Sequence, residues 1–427
     1  MNVLWVTNVA LPEANSLMGR EPSAFGGWLV NASSALAMTE GINLSVAFPE
    51  EHSTDPRSLR GKLIAYHQFG PISDAEPGNG SITTRLAGIL DVVEPDIVHI
   101  FGTEYDHALA MAELCIVRRQ RFVLSIQGLV SVYARHYSTG LPLRIQFRFT
   151  PRDLLKWDSI RLQARHFAER GQREIRTLRI ADHVIGRTTW DKACAVQINP
   201  KTQYHKCNEI LRDAFYHSSW SLDTCERFSI FVGQGNYPIK GLHFLLEAMP
   251  IVLRRFPQAR VYVAGYDVTG GRSMRRRMKR SSYGKYIREL IIRHHLEDRV
   301  TFVGVLNEEE MCSQYAKSHV FVLPSTIENS PNSLGEAMLL GVPSIAADVG
   351  GVSDLAQAGV DSLIYQGDAA YMLAHYICEV FNDDRLAVEL SQNARRRARV
   401  THDIEINTRN LVSIYRTICH DNEVDAT

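Results

Sequence analysis

"HVFVLPSTIENSPNSLGEAMLLGVPSIAAD", residues 319–348, is the stretch on which the fold turns. Two apolar runs, "HVFVLPS" at 319–325 and "VPSIAAD" at 342–348, frame a helical segment. Strand, helix, strand is the repeating unit of a parallel sheet. Ser330 is expected to cap the helix, Pro331 suits its first turn, Gly341 ends it and Pro343 prevents its return. Leu334, Ala337 and Met338 fall at i, i+3 and i+4 and make a buried face. Glu336 projects elsewhere, one turn above Asn332 and Ser333, and Glu328 stands eight positions before it on the loop leaving the first strand. Two carboxylates thus flank a helix N-terminus, a place that prefers anions as ligands. The combination asks for a polyhydroxylated, phosphorylated partner.

The same alternation runs almost throughout the chain. In the first half the clearest strands are "NVLWVTN" at 2–8, "INLSVAF" at 42–48, "IVHIFG" at 97–102, "RFVLSIQG" at 121–128 and "DHVIGRT" at 182–188. The second half restarts with "FSIFVGQG" at 228–235 and continues through "ARVYVAG" at 259–265 and "RVTFVG" at 299–304. Each half is long enough for its own doubly wound parallel sheet, and the polar, weakly periodic 215–227 reads as the junction. The expectation is an α/β protein with an N-terminal domain at 1–217, a C-terminal domain at 218–405 and a last helix at 406–427 returning to the first. Ligands of such sheets bind beyond the carboxyl ends of the strands, so two facing sheets predict a cleft.

At 427 residues two domains are the natural expectation, and 45% hydrophobic with 22% charged residues suits a soluble globular protein. Lys+Arg and Asp+Glu balance at 47 each, so overall charge gives no argument for nucleic acid. The start lacks the basic and long apolar regions of a signal peptide, and no run approaches membrane-spanning length. Seven scattered cysteines without CxxC spacing fit a reduced, cytoplasmic chain. No D-x-D pattern and no His/Cys cluster appears, so neither metal nor cofactor is expected. His99, in "DIVHIF", reads as a satisfied structural residue.

Glycine-containing turns recur at strand ends. Gly26-Gly27 precede a helical stretch, Gly233 and Gly235 follow a strand, Lys240-Gly241 precede "LHFLLEAM", and "GV" at 304–305 and "DVGGV" at 348–352 repeat the theme. Taken singly, each is also what a plain turn looks like. With the glutamate pair, "FVGQGNYPIKGLHFLLEAM" and the run from "VTFVGVLNEEEM" to "DVGGVSDL" resemble the retaining, GT-B-fold nucleotide-sugar glycosyltransferases of family 4, with their glycogen-synthase-like C-terminal domain. The resemblance is specific over about 228–365 and looser across the initial strand, the Gly26-Gly27 turn, "PDIVHIFGTEY" and "IGRTTWDKA".

What the resemblance implies is donor binding by Gly27, Gln234, Lys240, Gly304, Val305, Asn329, Ser330, Asn332, Ser333, Leu334 and Glu336. Glu336 would accept from the ribose hydroxyls and Glu328 would hold the transferred sugar. Amides around Asn332 to Leu334 would meet the diphosphate, and Gly304 and Val305 would lie against the base. Lys240, with Glu328 in the catalytic role, would stabilise charge growing on the departing diphosphate. Gly26, Glu104, His107 and Gln127 are the acceptor candidates; Glu104 and His107 also read as plain helix-start residues. Gln234 stands where the family usually has Arg, a loss of roughly 1–3 kcal/mol of charge-assisted bonding unless an Arg of "GGRSMRRR" replaces it. Gln127 stands where many relatives carry His, which a front-face displacement does not require.

Residues 140–180 hold ten Lys/Arg against four Asp/Glu, and Arg144, Arg148, Arg152 and Lys156 recur every fourth position among aromatic and aliphatic residues. The segment 144–165 reads either as a surface for an anionic membrane or as a solvated helix on the first domain, with Pro151 interrupting its period. "RSMRRRMKR" at 272–280 carries six positive charges but no stacking aromatics, and fits a loop beside the diphosphate or solvated surface better than a nucleic-acid site. The function expected is transfer of a sugar from a nucleoside-diphosphate sugar to a hydroxyl of a glycan or lipid-linked acceptor in surface polysaccharide synthesis, on the inner leaflet. The rivals are a nucleotide-sugar epimerase on the same fold and a non-catalytic sugar-nucleotide-binding protein.

Overall fold

Strand β5, Ile97–Phe101, is buried along its whole length, as its unbroken apolar sequence demands of a strand covered on both faces. In the computed structural model, which describes residues 1–21, 27–50, 57–70, 82–271 and 279–420, it lies inside the first of two sheets. That sheet comprises β1 (Asn2–Val6), β2 (Asn43–Pro49), β3 (Arg57–Arg60), β4 (Ala65–Phe69), β5, β6 (Phe122–Ser125), β7 (His183–Gly186) and β8 (Gln203–Lys206). Their order is β3-β4-β2-β1-β5-β6-β7-β8, parallel except for the β3–β4 edge pair. Strands β3, β4 and β8 carry too little apolar alternation to be read from "RSLR", "AYHQF" or "QYHK".

The second sheet comprises β9 (Glu226–Val232), β10 (Arg260–Ala264), β11 (Val300–Gly304), β12 (Ser318–Leu323), β13 (Ser344–Ala347) and β14 (Leu363–Tyr365). All its neighbours are parallel, in the order β11-β10-β9-β12-β13-β14. Two parallel-sheet α/β units therefore make up the chain.

The first unit is Met1–Ser131, Glu169–Leu211 and His402–Thr427; the second is Val132–Ala168 and Arg212–Thr401. This differs from the expected 1–217 and 218–405 limits in three places: 132–168 and 212–217 fall in the second unit, and 402–405 in the first. Residues 132–168 belong with the second unit because polar bonds tie them there. The buried Asp153 carboxylate accepts from Thr150 N and Ser282 N, both at 3.0 Å, and Arg148 pairs with Glu289 at 2.9 Å. Residues 212–217 also join the second unit: Phe215 is buried, and just after them Trp220 donates from Nε1 to Ser318 O at 2.8 Å. A stretch that looked like linker was hiding two large rings.

The helix Ile404–His420 lies in the first unit, packing Val412, Ile414, Tyr415 and Ile418 against Trp5 and its neighbours. Trp5 Nε1 donates to Tyr415 Oη at 3.0 Å, so the Tyr415 hydroxyl gives its own hydrogen to His99 Nδ1 at 2.5 Å. His99 Nε2 is then the protonated nitrogen and donates to Ser125 Oγ at 2.7 Å. Burial pushes the His99 imidazole down to about 3, which keeps this neutral tautomer. His99 is a structural residue, as its place on the strand implied. No helix among the described residues is long and apolar enough to cross a membrane.

Candidate active site

The helix Asn332–Leu340 follows β12 through the Glu328 loop and ends at Gly341, whose φ of 81° is the left-handed stop that glycine supplies. Ser330 does not cap it. Pro331 occupies the cap position, with no side-chain cap bond, because extended backbone there suits proline. Leu334, Ala337 and Met338 are buried, but so are Gly335, Leu339 and Leu340, so the helix is enclosed all round. Leu334 N donates to Pro331 O at 3.0 Å, sharing that carbonyl with Gly335 N at 3.2 Å. Asn332 and Ser333, the first two helical residues, have no preceding turn to bond to, and their half-buried amides carry the positive end of the helix.

Glu336 sits 6% exposed and is gripped by a residue that spacing did not point to. Arg212 Nε meets Glu336 Oε1 and Nη2 meets Oε2, both at 2.7 Å. The guanidinium also lies 4.7 Å from the ring centre of Phe215. Burial pushes the Glu336 carboxyl above its usual range, with the Arg212 charge pulling against it. Burial likewise works against the Arg212 charge, but Glu336 outweighs it and holds the guanidinium above its ordinary value. The carboxylate keeps lone pairs for further donors such as vicinal hydroxyls.

Glu328 and Lys240 meet directly, Nζ to Oε1 at 2.6 Å, with Ser325 Oγ donating to the same oxygen at 2.8 Å. The short 3-10 turn Pro238–Lys240 ends in Gly241 at φ 66°, where a Cβ would stand 1.7 Å from Pro324 O. Only glycine lets this turn close on the Glu328 loop, and Thr326 N donates to Ile239 O at 2.7 Å to hold it. On the other side Gly351 N donates to Glu328 O at 3.1 Å, and a Cβ on Gly350 would fall 1.9 Å from that oxygen. The glycines at 241 and 350 thus position the acid from two directions. Burial opposes the Lys240 charge, yet Glu328 holds the ammonium above its ordinary value.

Gly304 closes β11 at φ 88° with open space where a Cβ would be, and Val305 beside it is exposed. Asn329 is buried, and Gln234 and Ser330 are half-buried. The Arg residues of 272–277, named as one source for the charge missing at Gln234, lie outside the described residues, as does Gly26.

In the first unit, Gly27 opens the helix Gly27–Ala37 and is half-buried. Gln127 lines a cavity of about 50 Å³ whose walls include Trp5, Trp28, Phe101 and Arg187. Glu104 is paired with Arg170 at 2.9 Å and accepts from Thr103 N at 3.1 Å. His107, the other acceptor candidate, is buried in the first turn of Asp106–Arg118 and stacked on Tyr105, with neither ring nitrogen partnered among the described residues. Its alternative reading, a helix-start residue, is the one the packing supports. Also among the described residues, no group of three or more His, Cys, Asp or Glu side chains is arranged to hold a metal ion.

Residues 213–397 match the family described as glycosyl transferases group 1. Among curated proteins, the chain is 30% identical over 135 residues to N-acetyl-alpha-D-glucosaminyl L-malate synthase of Bacillus anthracis, covering 32% of this chain and 34% of that one. It is 27% identical over 169 residues to D-inositol 3-phosphate glycosyltransferase of Corynebacterium efficiens, covering 40% and 38%. The matched stretch thus spans well under half the length of these relatives. Among solved structures, sucrose-phosphate synthase from Thermosynechococcus elongatus superposes with a TM-score of 0.70 at 18% identity, over 97% of this chain and 98% of that one. HepE of Anabaena, solved in complex with UDP and glucose, gives 0.66 at 17% identity, over 98% and 100%. Residues 213–397 therefore resemble a glycosyl transferases group 1 domain, and the chain that carries them has the GT-B fold.

Proposed function

We propose that this chain is a retaining glycosyltransferase of the family 4 type, moving a sugar from a nucleoside-diphosphate sugar to a hydroxyl of a glycan or lipid-linked saccharide in surface polysaccharide synthesis. The observation that carries the reading is the Lys240–Glu328 pair at 2.6 Å, built by the same loop that runs into the Asn332–Leu340 helix start. An ammonium and two helix-start amides suit a diphosphate, while Glu328 and Glu336 suit the hydroxyls of sugar and ribose. The complex of HepE with UDP and glucose supports a donor of this class.

In the reaction the anomeric carbon–oxygen bond to the diphosphate breaks and a bond from the acceptor oxygen forms on the same face. The acceptor proton passes to the departing phosphate oxygen. Lys240 stabilises the charge that grows on that oxygen, a contribution larger in the transition state than in the bound donor. Glu328 orients the sugar and, through Lys240, keeps that cation in place. No metal ion is needed in this scheme, and activity that survives chelation by EDTA is its expected signature. On this reading the enzyme works in the cytoplasm, at the inner face of an anionic membrane.

The test begins with thermal stabilisation by UDP, GDP, ADP and their sugars, since a ligand of the folded state raises its melting temperature. The best donor is then incubated with saccharide and lipid-linked acceptors. Expected is release of nucleoside diphosphate that depends on acceptor, with product in the donor's anomeric configuration. Conversion of donor without acceptor indicates an epimerase, and binding without release under any acceptor indicates a binding protein. Either overturns the reading.

A further inference from the structure

Residues 143–157 put six large apolar side chains at the surface: Leu143, Phe147, Phe149, Leu154, Leu155 and Trp157, with Leu155 84% and Trp157 72% exposed. Among the described residues, no other Phe or Trp is exposed. Apolar surface concentrated in so short a stretch marks an interaction face rather than the scattered residues any protein shows.

The face points outward because its other side is fastened. The stretch is two short helices, Leu143–Gln146 and Pro151–Lys156, rather than the single helix its four-residue period suggested. Pro151 takes the first turn of the second helix, and Thr150 with Asp153 forms a capping box there. Asp153 is buried and also accepts from Ser282 N at 3.0 Å, Ser282 Oγ donates to Arg148 O at 2.8 Å, and Ile145 is buried between. With those bonds in place the rings cannot turn inward. The segment is a platform on the second unit, its polar side down and its apolar side free.

The rim carries positive charge. Residues 143–165 contain six Lys/Arg against two acids, a net +4. The two acids are occupied: Asp153 as described, and Asp158 with Arg152 at 2.8 Å. Arg144 and Lys156 are exposed beside the apolar residues, and the Arg161 guanidinium lies 4.3 Å over the Phe147 ring. Arg148 is spent on Glu289 and Arg152 on Asp158, but exposed apolar side chains interleaved with Arg144, Lys156 and Arg161 complement a surface that is anionic outside and hydrocarbon within. We infer that residues 143–165 dock this chain on an anionic lipid bilayer, with Leu155 and Trp157 entering the headgroup–acyl boundary and Arg144 and Lys156 meeting lipid phosphates. The inference deepens the proposed function by giving the chain a place to meet a lipid-linked acceptor. Its test needs neither donor nor acceptor, so the two readings fail separately.

The experiment is flotation of the full chain with vesicles of phosphatidylcholine alone or mixed with phosphatidylglycerol, at low and high salt. Expected is binding to the anionic vesicles at least about tenfold above the neutral ones, weakened by salt. The double variants Leu155→Glu/Trp157→Glu and Arg144→Glu/Lys156→Glu should each abolish it with unchanged melting temperature. The fluorescence of the wild type should shift blue on the anionic vesicles, and Trp157→Phe should remove the shift while retaining flotation. This keeps the claim testable should a charged variant misfold. Flotation that is absent, indifferent to lipid charge, or unchanged in both double variants overturns the proposal. So does self-association removed by Leu155→Glu/Trp157→Glu without vesicle binding, which would give the face to a second copy.

Discussion

Arg212 and Glu336 form a two-point ion pair, Nε to Oε1 and Nη2 to Oε2, each at 2.7 Å, in a site where both side chains are nearly excluded from water. Breaking such a pair by removing one partner leaves a buried charge without its counterpart. Arg212→Met is expected to cost about 3–5 kcal/mol of stability, and the double variant Arg212→Met/Glu336→Gln to recover much of it. Function should separate from stability. With the ribose reading of Glu336, both variants weaken nucleoside-diphosphate binding, whereas Arg212→Lys keeps the charge, loses the two-point geometry and falls between. Melting curves alongside isothermal titration with the best-stabilising nucleotide decide it. Unchanged nucleotide affinity in Glu336→Gln would remove Glu336 from the donor site.

The second pair makes a prediction in pH. Burial opposes the Lys240 ammonium, but Glu328 at 2.6 Å holds it above its ordinary value of 10.5. The cation that the mechanism needs therefore persists through the alkaline range, and kcat should show no loss from this group below its ordinary value. In Glu328→Gln the opposing charge is gone and burial acts unchecked, so the Lys240 value falls and an alkaline limb enters the profile. The same variant should lower kcat by about 100-fold or more, the scale of a lost electrostatic contact in a preorganised site. A profile in Glu328→Gln that matches the wild type in shape would show that the two groups are not coupled.

Gly241 offers a test of how the site is built. Its φ of 66° would strain any other residue, and its Cβ would stand 1.7 Å from Pro324 O. Gly359 has φ 72° with nothing within 4 Å, so it supplies the strain without the clash. Gly359→Ala is expected to cost about 1–2 kcal/mol. Gly241→Ala should cost more than that and remove activity, because the turn carrying Lys240 can no longer close on the Glu328 loop. Equal losses of stability with activity retained in Gly241→Ala would mean that the close approach is not needed.

The strand–helix–strand run of 319–348 was legible because apolar period, proline and glycine punctuation all agree there. Gly341 ends the helix as read, whereas the cap at Ser330 failed since Pro331 takes that position with extended backbone. The Lys240-Gly241 turn and the Glu328 loop were each legible through the motif, but their contact was not, since 88 residues separate the two. Arg212 was not: it is 124 residues from Glu336 in sequence, and no local period marks it. The edge strands β3 and β8 were missed for the opposite reason, since an exposed edge has no apolar pattern to show. Residues 132–168 were assigned to the wrong unit because the bonds that hold them, from Asp153 to Ser282 and from Arg148 to Glu289, join residues far apart in the chain.

His99, His107, His243, His319 and His402 are all buried, and burial pushes their imidazoles down from 6.5, to about 3 for His99 and about 4 for the rest. A depressed value in the folded state means that unfolding takes up protons below 6.5. The stability these neutral rings contribute is therefore fully present above that pH and drains as pH falls toward 4. At pH 5 each ring costs about 2 kcal/mol relative to neutral pH, with His99, His107 and His402 acting on the first unit and His243 and His319 on the second. The melting temperature should therefore fall on mild acidification, before the carboxylates titrate fully. His107, with no partner on either ring nitrogen among the described residues, is the cleanest probe. His107→Leu should hold or raise the melting temperature at neutral pH and flatten its decline between pH 7 and pH 5 by roughly one ring's share, about 2 kcal/mol. A variant whose decline parallels the wild type would show that His107 stays neutral in the unfolded chain too, or is already charged in the fold.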